Sequence, residues 1–394
     1  MLVHAYYDED PRVRREAESL VAAGRPVDVF GLRREGDPPH GELDGVSVHR
    51  LGVRRHQGAG LPTYLAEYVS FVARASRALA RAHPRRRYAL VQVHTPPDFL
   101  AVAAVPLRLA GVPLLLDLHE AMPEFFRSRF PRASNPVVHA ALRLTERVSI
   151  RLASAAVTVN PAMRDRLVAE VGVAASKVSV VANSPTLARF DPSGMARRTF
   201  AADGVVRLVY AGALTPVYEV DVAIDAVAEL RSLRPNLEVA FDVYGRGDAA
   251  DRLADRARER GVAERIAFHG RIPIEDVPAA IARADIGIAP TRRDPFTDVS
   301  LSTKVFEYAA MGKPVVASRL PMVEHTFPPG TVVTYEAGDA AGMAQAILRI
   351  VDDPLAREAM VERTAAIVAE HAWEREAPDY LALVDRLARD TRTA

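Results

Sequence analysis

The densest run of reactive residue types lies between Ile286 and Ser318, IGIAPTRRDPFTDVSLSTKVFEYAAMGKPVVAS. A strand pattern ends at Pro290, a polar loop follows, and a helix is predicted from about Ser302, with Ser302 or Ser300 as its N-cap. The start of a helix offers free N–H groups to an anion. Lys304 adds a full positive charge in that first turn, where it opposes the helix dipole and costs stability unless something negative is bound. Lysine is scarce in this chain: Lys177, Lys304 and Lys313 stand among 51 basic residues, so a lysine inside a motif is informative. Glu307 lies three residues on, on the same face of the helix. A carboxylate there can accept hydrogen bonds from a ribose diol. An ordinary surface Lys–Glu pair is the competing reading. Arg292 and Arg293 in the preceding loop are further cations, and Asp294 and Asp298 are nearby acids.

The elements that must hold these residues alternate between apolar runs and amphipathic stretches. Strand-like runs read LVHAYY (2–7), VDVFG (27–31), VSVHRL (46–51), LVQVH (90–94), VPLLLDLH (112–119) and AAVTVN (155–160). The second half repeats the pattern with VRLVYAG (206–212), LEVAFDVYG (237–245), RIAFHG (265–270), DIGIAP (285–290) and KPVVAS (313–318). Helical stretches such as Val13–Ala23, Tyr64–Ala82 and Val138–Leu152 lie between the strands of the first half. Continuous Val/Ile/Leu runs separated by helices mean parallel strands buried on both faces. Two such series predict two doubly wound α/β domains, which bind ligands at the carboxyl ends of their strands and would trap one in the cleft between them. The break falls in NSPTLARFDPSGMARRTFAADG (183–204), giving domains 1–190 and 191–372 and a terminal amphipathic helix over 373–394.

STKVFEYAAMGKPVVAS resembles the nucleotide-sugar signature of the family-4 glycosyltransferases (GT4) of the GT-B fold, in the variant P-x-K-x-x-E-Y-x-A-x-G-K-P-V-V. VYAGALTPVYEVDVAIDAVAEL, FDVYGRGD, RIAFHGRIPIEDVPAAIARADIGIAPT and the Trp-containing terminal helix are similar to other parts of that family in order and spacing. DPRVRREAESLVAAGRPVDVF and LLLDLHEAMPEFF agree in the first half. The resemblance implies two Rossmann-like domains facing a central cleft, the first for the acceptor and the second for a nucleoside diphosphate sugar, with the terminal helix packed back on the first. It implies transfer to an acceptor hydroxyl with retention of configuration, without metal or cofactor. Glu307 would hold the ribose hydroxyls, and the turn of Ser302, Thr303, Lys304 and Val305 would face the diphosphate. Gly212, Ala213 and Leu214 would border the nucleotide, and Gly245 and Gly247 would let backbone approach it. Arg271 and Ile272 would meet the base through main-chain atoms, Arg292 and Asp298 would lie beside the donor, and His119 would point at its sugar.

The sequence also departs from the family pattern. The basic residue usual after the glycine of the 212 loop is Ala213, and the lysine six residues beyond that glycine is Tyr218. The acid eight residues before Glu307 is replaced by Val299. Lys304, Arg292 and Arg293 are then the cations left for a diphosphate. These losses keep two other readings open: a catalytically weakened binding or auxiliary subunit, and a nucleotide-sugar epimerase.

Other features narrow the class. Hydrophobic residues at 49% and charged residues at 26% fit a soluble globular chain and exclude a fibre or a multispan membrane protein. A net charge of +1 gives no reason to expect a nucleic-acid partner. That balance conceals 28 basic and 19 acidic residues in 1–200 against 23 and 31 in 201–394. Cysteine is absent, which rules out thiol chemistry and fits a cytoplasmic location. The run from Phe99 to Leu116 is broken by Pro106, Arg108, Gly111 and Pro113 and reads as helix, turn and strand, not a membrane span. A strand at the start is no signal peptide. Asp8-Glu9-Asp10 has the D-x-D pattern of metal-dependent transferases but is placed to end a strand and cap a helix. Arg85-Arg86-Arg87 reads as a solvated loop. The helix over 61–82 carries a stripe of Tyr64, Tyr68, Phe71 and Val72 amid basic residues. It is expected to pack in a core, with peripheral contact with an anionic membrane as the alternative.

Overall fold

The computed structural model describes residues 1–390 apart from 54, 57–59, 131–132 and 196–197. Two compact units divide the chain, 1–183 with 376–394, and 184–375. The change of unit comes at the front of the irregular stretch, at 183/184 instead of 190/191, and residues 373–375 stay with the second unit.

The first unit is built on eight strands: β1 (Leu2–Val3), β2 (Asp28–Leu32), β3 (His40–Leu43), β4 (Val46–Leu51), β5 (Val91–His94), β6 (Leu114–Leu118), β7 (Ala155–Thr158) and β8 (Val178–Val180). Their order is β3-β4-β2-β1-β5-β6-β7-β8, parallel except for the β3–β4 hairpin. β2, β5 and β6 are buried at every position, as continuous apolar runs between two helical layers must be. The first strand is shorter than LVHAYY because the chain turns into a 3-10 segment at Tyr7–Glu9. The hairpin was not foreseen, although Asp44-Gly45, both at positive φ, is the dipeptide a tight turn requires.

The second unit holds β9 (Val205–Ala211), β10 (Glu238–Tyr244), β11 (Ile266–Gly270), β12 (Ile286–Ala289), β13 (Val315–Ser318) and β14 (Val333–Tyr335). All run parallel in the order β11-β10-β9-β12-β13-β14. The order reverses at β9, so the loops after β9 and β12 diverge there and leave room for a ligand. Tyr210, Phe241 and Ile288 fill one side of this sheet, and Val209, Tyr308 and Val315 the other.

Several helices begin at an Asx-Pro pair. Asp10, Asn135, Asn160 and Asp353 accept N–H bonds at the starts of helices Pro11–Ala22, Pro136–Leu152, Pro161–Arg166 and Pro354–Glu370. Proline at the first position forfeits no hydrogen bond there. Asp10 therefore caps a helix, while Asp8 pairs with Arg34. Helix Leu61–Arg86 runs past its predicted end and turns Arg85 and Arg86 into its last turn; Arg86 reaches Asp28 at 2.8 Å. Of its stripe, Phe71 is fully buried and packs with Leu79, Leu100 and Ile150, Val72 packs against the same cluster, and Tyr64 and Tyr68 are half-buried. Helix Trp373–Asp390 returns to the first unit, where the Tyr380 hydroxyl donates to Gln92 at 2.7 Å and Asp385 accepts from Arg25.

Candidate functional site

Three loops meet at the carboxyl ends of β9, β10 and β12. Gly212 N donates to Tyr244 O at 2.9 Å and Leu214 N to Arg246 O at 3.0 Å, so the 212 and 245 loops are stitched edge to edge. A Cβ on Gly245 would stand 1.8 Å from Gly212 O, and one on Gly247 2.0 Å from Leu214 O. Glycine at 245 and 247 thus serves the contact between two loops, in addition to any approach to a nucleotide. Gly212 has its own reason: a Cβ there would lie 2.2 Å from Lys304 Cε. Lys304 lies across this glycine.

Lys304 is the second residue of helix Thr303–Ala310 and is only 8% exposed. Its Nζ lies 3.9 Å from the centroid of the Tyr218 ring and 5.5 Å from that of Tyr210. Among the described residues no carboxylate pairs with it. The expected helical pair with Glu307 is therefore not formed as an ion pair. A desolvated ammonium held only by ring quadrupoles is incompletely compensated. Ser302 is the N-cap by position, but its hydroxyl accepts no capping bond, which leaves the first turn of this helix without a side-chain cap.

The other cations are engaged. Arg292 reaches Asp294 at 3.0 Å and Arg293 reaches Asp298 at 3.3 Å. Asp294 also accepts from Phe296 N and Thr297 N, shaping the loop. Lys313 donates to Ala282 O and Ala284 O, and Lys177 to Arg151 O. Of the three lysines, Lys304 alone meets no protein oxygen among the described residues. Arg292 and Asp298, expected beside the donor, are each part of a loop ion pair.

Glu307 is half-buried one turn after Lys304. Burial raises its pKa, opposed in part by Lys304, a hydrogen bond with Thr303 and the charge of Arg189. Val305 and Leu214, read as ligand contacts, have buried side chains, and their amides are bonded to Ser302 O and Arg246 O. Ala213 N has no protein partner among the described residues and remains available. Arg271 and Ile272 follow β11, whose Gly270 O accepts from Gly245 N, which puts them beside the same loops. A cavity of about 70 Å³ adjoins, lined in part by Tyr218, Thr291, Ser300 and Ser302.

The first unit has a polar centre of its own. His94 and Asp117 are register partners on adjacent parallel strands. Two-residue periodicity points Asp117 and His119 the same way. Asp117 Oδ2 lies 2.8 Å from His94 Nδ1 and 3.0 Å from His119 Nε2, and the two imidazoles are stacked with 9° between planes. His119 Nδ1 has no partner among the described residues. Burial raises the Asp117 pKa, but the two histidines outweigh it and hold the carboxylate well below its usual range. Burial lowers the His119 pKa, against the pull of Asp117. Behind Asp117, Gln92 donates to Glu16 at 2.5 Å and accepts from Tyr380. Burial and the Asp117 charge push the pKa of Glu16, which lies behind the triad, well above the carboxylate range. Donor atoms of His94, Asp117 and His119 lie within 4.8 Å of one another, close enough for a metal. Among the described residues Asp117 Oδ2 makes no well-directed hydrogen bond to either ring, and the hydrogen bond inside the cluster joins His94 Nδ1 and His119 Nε2 at 3.4 Å. Sequence reading gave His119 but missed its partners; a D-x-H at the end of an otherwise apolar strand is the signal that points to them.

Both units match known families. Residues 10–184 match the family described as "Glycosyl transferase 4-like domain" and residues 206–353 the family described as "Glycosyl transferases group 1". Glycogen synthase of Mycobacterium tuberculosis is 27% identical over 88% of this chain and 83% of its own length. Alpha-D-kanosaminyltransferase of Streptomyces kanamyceticus is 26% identical over 95% and 98%. Among solved structures, sucrose-phosphate synthase from Thermosynechococcus elongatus superposes with a TM-score of 0.77 at 20% identity, covering 95% of this chain and 92% of its own. HepE of Anabaena, solved in complex with UDP-glucose, gives 0.69 at 16% identity, covering 98% of each chain. Two doubly wound parallel sheets, the signature around Lys304 and Glu307, and matches along nearly the whole length lead to one assignment: the chain is a glycosyltransferase of family 4 with the GT-B fold.

Proposed function

We propose that this glycosyltransferase takes its sugar from a nucleoside diphosphate sugar bound at the 212, 245 and 302 loops, and transfers it to an acceptor hydroxyl with retention and without a resident metal. The observation that carries the reading is Lys304, a nearly buried cation with no acid partner among the described residues, poised on Tyr218 at an uncapped helix start. A diphosphate supplies the missing negative charge. As the bond from the anomeric carbon to the diphosphate breaks, charge builds on the leaving oxygen. A preorganised ammonium and amide groups stabilise it there. Glu307 holds the ribose diol through its carboxylate, and the 212–214 backbone and Arg271–Ile272 border the nucleotide. HepE, described with UDP-glucose, supports the donor class.

His119, beside Asp117 in the 1–183 unit, is the residue assigned to the donor sugar. The acceptor is a glycan, a lipid-linked sugar or a small molecule, bound by the 1–183 unit. Peripheral contact with an anionic membrane belongs to the same reading; no described helix is long and apolar enough to cross one. The auxiliary-subunit reading rests on the losses at Ala213, Tyr218 and Val299. Purified chain incubated with UDP-, GDP-, ADP- and dTDP-sugars decides between them. Donor-dependent release of nucleoside diphosphate supports the enzyme, and binding without release under any donor and acceptor supports the auxiliary subunit.

A further inference from the structure

Exposed apolar side chains are gathered on one layer of the first unit. Of nine large hydrophobic residues exposed among those described, seven lie on helix Leu61–Arg86, the 3-10 segment Asp98–Ala104, helix Val105–Leu109 and helix Pro136–Leu152. Leu109 is 84% exposed, Val137 78%, and Val69 and Leu144 61% each. These segments make the crossovers β4→β5, β5→β6 and β6→β7, which step across the sheet in one direction. Right-handed crossovers place all of them on the same face. Phe71, Leu79, Leu100, Leu107 and Ile150 from these segments do share one core cluster beneath the layer.

The exposed charge on these four segments has one sign. The acids on the four segments are Glu67, Asp98 and Glu146, and all three are buried. The arginines are exposed, among them Arg74, Arg77 and Arg81 on the first helix and Arg143, Arg147 and Arg151 on the last. Arg143 meets Glu170 of a neighbouring segment at 3.5 Å. Arg77 and Arg81 have no partner among the described residues. On the last helix the apolar row Val137, Leu144, Val148 runs beside the arginine row at i, i+4 spacing.

We propose that this layer is the surface by which the chain docks on an anionic phospholipid bilayer. The proposal deepens the membrane contact named above and moves it from the aromatic stripe, whose Phe71 is core, to the exposed side of the helix. Leucines and valines enter the boundary between headgroups and acyl chains, and arginines take the lipid phosphates. A second copy of the chain fits poorly, because two such faces repel. A soluble polyanion leaves the leucines and valines without a role. Exposed apolar residues elsewhere, Leu233 and Leu355, are scattered singly and have no such company.

The test is co-sedimentation of the full chain with vesicles of phosphatidylcholine alone and of phosphatidylcholine with about a third phosphatidylglycerol. We expect binding to the second, little to the first, and loss at high salt. Val69→Asp with Leu144→Asp, and separately Arg77→Gln with Arg81→Gln, should each lower partitioning at least about tenfold. Thermal stability and nucleotide binding of both variants should match the parent, which separates failure of docking from failure of the fold or of the proposed donor site. No sedimentation with anionic vesicles overturns the proposal. So does equal partitioning by both variants, or a dimer in sedimentation velocity that the Asp variant dissolves.

Discussion

Tyr218 stands where the family resemblance places a lysine, and its ring is the seat of Lys304, with the ammonium 3.9 Å from the ring centroid. The loop after β9 lacks that cation and supplies instead an aromatic face for the lysine of the helix after β12. A lysine at both positions would crowd two ammonium groups over Gly212.

That arrangement predicts a non-additive pair. Tyr218→Lys alone should reduce transfer, because the ring face worth about 1–2 kcal/mol to a desolvated cation is lost and a like charge arrives. In the Lys304→Ala background the same substitution should restore part of the activity. A double-mutant cycle on kcat/KM measures the coupling, expected at about 1–3 kcal/mol. Simple additivity would mean that the two residues act separately.

Glu307→Gln should weaken nucleoside diphosphate binding by about 1–3 kcal/mol, as a charged acceptor of two hydrogen bonds becomes a neutral one. Apo stability should hold or rise slightly. The folded pKa of Glu307 is raised above 4.5, so the native state binds the proton more tightly than the unfolded chain does. Its contribution to stability therefore falls as pH rises through the folded value, and glutamine removes that penalty at neutral pH. Calorimetric titration of both proteins at acidic and neutral pH checks the sign: the parent should gain more affinity on going to neutral pH than the variant.

The triad in the first unit carries the opposite pH signature. Burial holds the His119 pKa below the usual 6.5, against the pull of Asp117. The unfolded chain takes up a proton between that lowered value and 6.5 while the native state does not. Native stability therefore falls as pH drops through this window. His119→Asn should flatten the dependence of melting temperature on pH between about 5 and 7. An unchanged slope would assign it to other histidines.

Asp117→Asn leaves two buried imidazoles without their shared anionic neighbour. A loss of about 1–3 kcal/mol in denaturant unfolding is expected. Tyr380→Phe, which removes one neutral hydrogen bond to Gln92 at the return of the terminal helix, should lose only about 1 kcal/mol.

The fold was legible because buried parallel strands are written as uninterrupted Val/Ile/Leu runs, and β4 begins and ends where VSVHRL does. The short edge strands β8 and β14 were not, since three residues give no period to read. Lys304 and Glu307 stood out by type and spacing on one helix. Tyr218 did not, because its role is set by a contact with a residue 86 positions away in sequence (304 − 218), which no local pattern encodes. The same holds for Asp117: its strand neighbour His94 is supplied by pairing between β5 and β6. Arg292 and Arg293 stood out as cations, but their pairing with Asp294 and Asp298 is set by the turn of the loop.

The account turns on Lys304 as the group that meets the diphosphate. Its most direct test is thermal unfolding of the parent and Lys304→Ala with saturating UDP, GDP, ADP and dTDP, alongside the matching nucleosides. For the preferred base, the parent should gain about 2.7 kcal/mol at a hundred times Kd. Lys304→Ala should unfold at the parent's apo temperature or slightly above it, lose most of the diphosphate gain, and keep whatever the nucleoside alone provides. If the variant is stabilised by the diphosphate as fully as the parent, Lys304 is not the diphosphate's cation and the central claim is wrong.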